Sequence, residues 1–184
     1  YHWNSSAVSE TAALYPEMTV REIPIELSGR EVNAMLEHSY EKCLGQAEHI
    51  RNIKDIQKKE AFEVLIHGRI PVMQSTQCLK KTTGHCNKTS EEIWLEDKKG
   101  RKLPVTTHCR ECYNLIWQDK PYNLIGEDLT GSIPYVTRHR FDLFHMSEKE
   151  IKEMKDRYLI WQENHFMCDL QKDDTEHHWN YGIE

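Results

Sequence analysis

Residues 78–112 read CLKKTTGHCNKTSEEIWLEDKKGRKLPVTTHCREC and contain four of the six cysteines in the chain. Cys78 and Cys86 form a C-x7-C pair, and Cys109 and Cys112 form a C-x2-C pair. The segment between the two pairs has the pattern of a β-hairpin. Thiolates gathered at such spacings most often bind a soft metal ion or an iron–sulfur cluster. The stretch therefore predicts a cysteine-rich β-hairpin insertion, held by strands and helices from the segments on either side.

The composition is that of a globular chain with a well-solvated surface. Its 184 residues are 38 % hydrophobic and 29 % charged, with a net charge of −6. This length predicts a single domain, residues 1–184, with one core. The net charge gives no reason to expect binding to nucleic acid, and no apolar run is long enough to cross a membrane. We interpret the cysteines as metal ligands in a reducing interior, which predicts a cytoplasmic protein with no membrane contact.

The remaining segments alternate between strand and helix patterns. Ser28 and Glu31 form a capping box, as do Ser147 and Glu150, and each box predicts the first turn of a helix. The run AFEVLI, residues 61–66, is the clearest strand. From the other patterns we expect a short helix capped by Ser5 or Ser6, a short helix at 122–129, strands at 20–25 and 135–144, a helix or loop at 45–59, and a tail that packs back onto the domain. This order predicts an α/β fold built on a parallel sheet.

Polar side chains lie at the ends of three predicted strands. They are Glu26, then His67 with Arg69, and then Arg140 with Asp142. In a β/α barrel the carboxyl ends of the strands form the active face, so these five are the predicted catalytic residues. The strand–helix units amount to half of an eight-stranded TIM barrel, which predicts a partial (β/α) barrel-like parallel sheet. Salt bridges from the two arginines to Glu26 and Asp142 are an equally simple interpretation.

The spacing of the cysteines does not by itself choose the metal. Cys109 and Cys112 can point both sulfurs at one ion through a tight turn, as zinc knuckles do. The wider first pair fits zinc poorly, while iron–sulfur clusters accept many spacings. His85 and His108 lie beside the cysteines, and either could replace one of them as a ligand. Zinc, an iron–sulfur cluster and no metal at all stay open on spacing alone.

A longer pattern runs through FEVLIHGRIPVMQSTQC at 62–78, GHC at 84–86, LEDKKGRKLPV at 95–105 and C-x2-C before YN at 109–114. This pattern resembles the collagenase-like peptidase family U32. Members of that family resemble it in a strand ending HGR-x-P-x-M, a cysteine five residues later, a Gly-x-Cys, a D-R-K-G hairpin and a further cysteine. Lys98 stands where the family commonly has arginine. The likeness covers nearly the whole chain but only the C-terminal half of the family core.

The resemblance implies a cofactor and a set of ligands. Several members of the family carry a four-cysteine [4Fe–4S] cluster, and Cys78, Cys86 and Cys109 match its ligands by position. Cys112 is the natural fourth ligand, although in some members that cysteine lies further downstream. With the resemblance included, a [4Fe–4S] cluster is the expected cofactor and zinc is the alternative.

Three hypotheses of function follow. The first is an iron–sulfur enzyme, an oxygen-independent hydroxylase of RNA or a small aromatic precursor, in which Arg69, Arg140 and His67 hold an anionic substrate. The second is a collagenase-like hydrolase that cleaves peptides with metal assistance, with Glu26 or His67 as the general base. The third is a non-catalytic fragment with a structural metal site, whose partner is an N-terminal barrel half located elsewhere.

Overall fold

A computed structural model describes residues 2–15, 17–18, 20–46, 61–127, 129, 136–164 and 179–180. Within these residues the helices are α1 (Ser5–Leu14), α2 (Gly29–Gln46), α3 (Leu79–Thr82) and α4 (Glu148–Asn164). The strands are β1 (Val20–Glu22), β2 (Ala61–Gly68), β3 (Pro71–Ser75), β4 (Glu92–Glu96), β5 (Lys102–His108), β6 (Tyr113–Trp117), β7 (Tyr122–Asn123) and β8 (Val136–Phe141).

Strand β2 is the centre of a parallel sheet. Both β1 and β8 pair with it in parallel, β1 along its first residues and β8 along most of its length. The short β7 pairs antiparallel with the last two residues of β2. Helix α2 follows β1 and precedes β2, so the three elements form a β–α–β unit. The predicted α/β fold with a parallel sheet is confirmed, and among the described residues this sheet does not close into a barrel.

The apolar run of β2 becomes the centre of the core because the strand is covered on both faces. Every residue from Phe62 to Gly68 is buried except Glu63, which is half-buried. Helices α2 and α4 pack apolar side chains onto this strand's cluster. Their buried contributions are Val32, Met35, Leu36, Met154 and Trp161.

The cysteine-rich stretch contributes β4 and β5 to a second, antiparallel sheet with the strand order β3-β6-β5-β4. Strand β4 pairs with β5, and Asp97 closes the turn between them by accepting the backbone N–H groups of Lys99 and Arg101. Strands β3 and β6 extend this pair to four strands. The sheet therefore reaches beyond residues 78–112 on both sides.

Both predicted capping boxes are confirmed. The Glu31 carboxylate accepts the N–H and the O–H of Ser28 at 2.8 and 2.7 Å. The Glu150 carboxylate accepts the same two groups of Ser147, each at 2.6 Å. These bonds satisfy backbone donors that have no partner within the helix, which is why the pattern predicts a helix start so well.

Other segments differ from the sequence patterns or lie outside the described residues. The prediction of a helix from residue 122 is wrong at its start, because Tyr122 and Asn123 pair with β2 as β7. Residues 47–60, most of the predicted helix or loop, lie outside the described part of the chain. No described helix has both the length and the apolar character needed to cross a membrane.

One residue of the tail confirms that this part of the chain packs onto the domain. Trp179 is buried in the core cluster, and its carbonyl accepts the N–H of Gly29 at 2.8 Å. The indole lies so close to Gly29 that an added Cβ would stand 3.0 Å from its ring. The first residue of α2 is therefore a glycine, because the Trp179 ring occupies the space that a side chain at residue 29 would need.

Candidate functional site

Four of the five predicted catalytic residues line one cavity at the carboxyl end of the parallel sheet. This strand-end cavity has a volume of about 360 Å³ and is lined by Glu26, Arg69, Arg140 and Asp142. Its remaining wall is largely apolar, with Ile25, Leu65, Ile70, Pro71 and Trp117, and it also includes Glu22. The size falls in the range of small-molecule sites, and the wall is half apolar and half charged.

The ion pair in the strand-end cavity is not the one expected from the sequence. Arg140 Nη1 lies 2.5 Å from Glu22 Oε1, so this arginine pairs with Glu22 rather than with Glu26 or Asp142. Both partners are partly exposed to solvent. Glu26 Oε2 is buried and has no hydrogen-bond partner among the described residues. This oxygen is closed to solvent, so the Glu26 side chain must turn toward the cavity before the N–H or O–H donor of a ligand reaches it.

A close approach of two strand ends sets the shape of this cavity. Gly68 has φ +155, and a Cβ added to it would stand 2.6 Å from the Cβ of Asp142. The backbone N–H of Asp142 donates to the carbonyl of His67 at 2.8 Å. A side chain at residue 68 would push Asp142 away, so the glycine keeps the ends of β2 and β8 together.

Arg69 lies between the strand-end cavity and a second one. Its Nη1 donates to the backbone carbonyl of Gln118 at 2.8 Å and to that of Asp119. Burial lowers the pKa of the Arg69 guanidinium, and the carboxylates of Glu150, Asp119 and Glu92 oppose that change. Because the pKa of an arginine lies far above neutral pH, the group keeps its charge there.

The second cavity, which we call the helix-side cavity, has a volume of about 630 Å³. Its wall combines the end of β2, the β4–β5 turn, the loop after β6 and the first turns of α4. Charged and aromatic lining residues include Arg69, Trp94, Lys102, Asp119, Lys120, Glu150, Glu153 and Arg157. The bonds from Ser147 hold the pKa of Glu150 below its ordinary value, and the nearby positive charges of Arg69 and His67 lower it further.

His67, the fifth predicted catalytic residue, lines the helix-side cavity and not the strand-end cavity. Its ring is buried, with Nδ1 at 3.2 Å from Asn123 Oδ1. The same amide oxygen accepts the N–H of Ile125 at 3.2 Å, which fixes the orientation of the Asn123 side chain. An amide oxygen only accepts, so Nδ1 of His67 carries a proton and donates it to this bond.

The sequence patterns missed a buried histidine beside the helix-side cavity. His145 has φ +61, its side chain is 3 % exposed, and its Nδ1 lies 2.7 Å from Glu92 Oε2. Its Nε2 faces the hydroxyl of Thr106 at 3.4 Å, and that hydroxyl accepts the indole N–H of Trp117 at 2.9 Å. Both ring nitrogens are occupied, so His145 joins the loop after β8 to the antiparallel sheet. No local motif could have revealed a pair of residues 53 positions apart.

The four predicted ligand cysteines lie at one end of the antiparallel sheet. Cys78 follows β3 and caps α3, Cys86 precedes β4, and Cys109 and Cys112 occupy the turn between β5 and β6. The register of the strand pairs brings the end of β3, the start of β4 and this turn to the same end of the sheet. Three separate segments therefore carry the cysteines to one place.

The side chains at this end are not grouped as a finished metal site. Within the described residues no three Cys, His, Asp or Glu side chains are arranged to hold a metal ion. All four thiols are unoxidised and exposed or half-buried. Cys78 Sγ accepts the N–H of Lys81 at 3.4 Å, a bond that suits a thiolate ligand. The donor set fits a soft metal or an iron–sulfur cluster, and binding requires the sulfurs to draw closer.

Neither predicted histidine substitute is placed among the sulfurs as a ligand. The ring of His108 stacks on Tyr113 with centroids 4.3 Å apart and planes inclined by 7°. Its Nε2 is buried with no hydrogen-bond partner among the described residues. His85 is exposed. Stacking accounts for the position of His108 without a metal.

The cysteine end and the strand-end cavity stand at opposite ends of the antiparallel sheet. Strand β6 begins beside the cysteine turn at Tyr113 and ends at Trp117, which lines the strand-end cavity. Five residues of β-strand span about 13 Å.

Comparison of the chain with family models, with curated proteins and with solved structures finds no match. The expected relation to family U32 therefore stays a prediction.

Proposed function

We propose that Cys78, Cys86, Cys109 and Cys112 bind a [4Fe–4S] cluster and that the chain is an iron–sulfur-dependent enzyme of the U32 type. The observation that supports this most is the meeting of three cysteine-bearing segments at one end of the antiparallel sheet. A reducing, cytoplasmic setting goes with free thiols as ligands. The parallel strands would then be the C-terminal half of a (β/α) barrel whose N-terminal half lies elsewhere.

The proposed substrate is an anionic small molecule or an RNA, bound in the strand-end cavity. Arg69 and Arg140 would receive its phosphate or carboxylate, and Glu26 would accept a donor from the same molecule. The Arg140–Glu22 pair is partly exposed, and such pairs contribute only about 0–1 kcal/mol, so an incoming anion can replace Glu22 at little cost. A bound cluster would supply single electrons to the reaction.

Metal-assisted peptide hydrolysis receives less support from the same geometry. The expected general bases, Glu26 and His67, line cavities at the other end of the sheet from the cysteines. Four thiolate ligands would also leave a zinc ion no open position for water. A structural zinc ion is the alternative occupant of the cysteines, and it would make the metal site a staple of the fold rather than part of the chemistry.

Anaerobic purification with metal and sulfide analysis tests the cluster. We expect a brown protein that contains iron and acid-labile sulfide in equal amounts. Serine in place of Cys78, Cys86 or Cys109 should abolish both, while Cys43→Ser is the matched control and should keep them. A colourless protein containing zinc would replace the cluster by a structural ion, and a protein without metal would refute the proposal. The fourth ligand is whichever cysteine, Cys112 or Cys168, gives a serine variant that has lost its iron and sulfide.

Binding measurements test the substrate cavity independently of the metal. The probes are an aromatic carboxylate, 4-hydroxybenzoate, and a short RNA oligonucleotide, each titrated into wild type, Arg140→Met and Lys152→Met. Loss of a hydrogen bond to a charged group costs about 1.5–3 kcal/mol, so Arg140→Met should bind an anionic ligand about tenfold more weakly or worse. The exposed Lys152 is a control for general charge. Equal binding by both variants would exclude Arg140 as an anion contact.

A further inference from the structure

Lys80 is buried in a place where a lysine is seldom found. Its side chain is 4 % exposed, although it lies in the short helix α3 beside two exposed stretches. The ammonium donates to the carbonyl of Thr89 at 2.7 Å and lies 2.5 Å from Glu91 Oε1. It also donates to Asn87 Oδ1. All three acceptors belong to residues 87–91, the loop that runs from Cys86 into β4.

The same loop holds the turn that carries Cys109. The backbone N–H of Cys109 donates to Ser90 Oγ at 3.0 Å, and its thiol donates to the Thr89 carbonyl at 3.1 Å. That carbonyl is also an acceptor of the Lys80 ammonium. One backbone oxygen therefore connects Lys80 to Cys109.

Lys80 also belongs to the segment that carries the first cysteine. Helix α3 begins directly after Cys78, which is its N-cap. The ammonium reaches the Cys86 loop through Asn87 and the Cys109 turn through the Thr89 carbonyl, which it shares with the Cys109 thiol. One side chain thus contacts, or stands close to, all three segments that bring the cysteines together.

We propose that Lys80 is the positioning residue of the cysteine site, because it ties the Cys78 segment and the Cys86 loop to the Cys109 turn. This inference rests on the proposed binding of a metal by the four cysteines. Lys80 itself would not be a ligand. Its contribution is to hold the loop so that the sulfurs have only a short distance to close when a metal binds.

The expected effect follows from what remains after the ammonium is removed. In Lys80→Met the stem keeps its volume, but Asn87, Thr89 and Glu91 lose their common donor and the loop loses its link to α3. Removal of an outer-shell partner typically lowers metal affinity about 10–100-fold. Lys80→Arg restores a positive group with several donors and should recover part of the affinity. Lys81→Met is the matched control, because Lys81 is exposed in the same helix and only its backbone contacts Cys78.

The experiment is an anaerobic titration of the reduced apo protein with Co²⁺, followed by the visible absorption of the thiolate complex. The rate at which 5,5′-dithiobis(2-nitrobenzoate) modifies the thiols of the apo protein is measured in parallel. Circular dichroism and thermal unfolding establish that each variant is folded. Binding weakened in Lys80→Met, partly recovered in Lys80→Arg and unchanged in Lys81→Met supports the inference.

The two proposals fail in different ways. If Lys80→Met binds Co²⁺ as tightly as Lys81→Met, the role of Lys80 is refuted and the metal site stands. If wild type binds no Co²⁺, the four cysteines do not form a site for a single ion, iron and sulfide analysis decides the cluster, and the thiol rates decide the role of Lys80. Faster modification in folded Lys80→Met than in Lys81→Met then supports a positioning role for Lys80, and equal rates overturn it.

Discussion

Substitution of Gly68 by alanine tests the close approach that shapes the strand-end cavity. Gly68 adopts φ +155, a conformation that residues with a Cβ rarely adopt. The added Cβ would stand 2.6 Å from Asp142 Cβ and 3.0 Å from the Asp142 carbonyl oxygen. These atoms lie at or next to the backbone, so no flexible side chain can swing away to relieve the contact. Strand β8 or the end of β2 must move instead.

The magnitude combines two costs. A non-glycine residue held at such a φ costs about 1–3 kcal/mol, and forcing extra volume into a packed region costs about 1–3 kcal/mol more. Their sum is about 4 kcal/mol, a large part of the roughly 5–15 kcal/mol by which a domain is stable. For a chain of this length each kcal/mol lowers Tm by about 2–4 °C, which predicts a fall of about 8–16 °C.

Thermal unfolding of Gly68→Ala and Gly100→Ala separates the two costs. Gly100 also has positive φ, +77, but a Cβ there would meet no atom within 4 Å. Its substitution should cost only the backbone strain, about 1–2 kcal/mol. An equal fall in Tm for both variants would refute the argument that the contact with Asp142 fixes the end of β2.

Three further predictions concern the helices and their partners. The hydrogen bonds from Ser147 lower the pKa of Glu150. The stability that this carboxylate contributes is therefore present above its ordinary pKa of 4.5 and is lost as pH falls through the lowered value. Glu150→Gln should flatten the dependence of Tm on pH below 4.5. Burial lowers the pKa of His139, so the fold loses stability as pH falls below the ordinary pKa of 6.5. His139→Phe should lessen the change in Tm between about pH 7 and pH 5. An unchanged slope of Tm against pH would count against the burial of His139 as the cause. In Gly29→Ala the new Cβ would meet the Trp179 ring at 3.0 Å, so tryptophan fluorescence should shift to the red as the indole moves, and an unaltered spectrum would show that the helix yields instead.

The parts of the fold that the sequence predicts well are those with local causes. The capping boxes at Ser28 and Ser147 are such cases, because each depends on residues three positions apart. The central strand β2 is another such case, because a short continuous run of apolar residues is typical of a buried strand. The pairing of β6 with β3 is not local, because Ser75 and Asn114 lie 39 positions apart. Nothing in the segment 113–117 tells that β3 pairs with it.

The predicted inner face of α4 is partly wrong, because contacts outside the helix decide which of its side chains are buried. Its apolar pattern predicts Ile151, Met154, Tyr158 and Leu159 on the inner face. Met154 and Trp161 are buried, whereas Leu159 is 43 % exposed. Successive residues turn by about 100° around a helix, so Leu159 lies well to one side of the stripe formed by residues 154, 158 and 161. A tail or sheet edge decides which stripe faces inward, and the sequence of the helix alone does not contain that information.

The candidate site was predictable to the extent that parallel strands share a carboxyl edge. That rule brought Glu26, Arg69, Arg140 and Asp142 to one cavity. It failed for His67, whose ring is on the other side of the strand end and is held by Asn123. The sequence gives no sign that the β4–β5 turn, the loop after β6 and α4 enclose a second cavity around that ring.

The burial of Trp179 has a consequence for the order in which the protein is made and folds. The core around α2 includes this indole, and the Gly29 amide has its partner in the Trp179 carbonyl. A ribosome that has released the first two strands and their helix has not yet released the residue that completes their packing. Until residue 179 emerges, the first turn of α2 keeps an apolar notch open to solvent. Chaperone contact and co-translational proteolysis should therefore concentrate on that turn in chains that end short of Trp179.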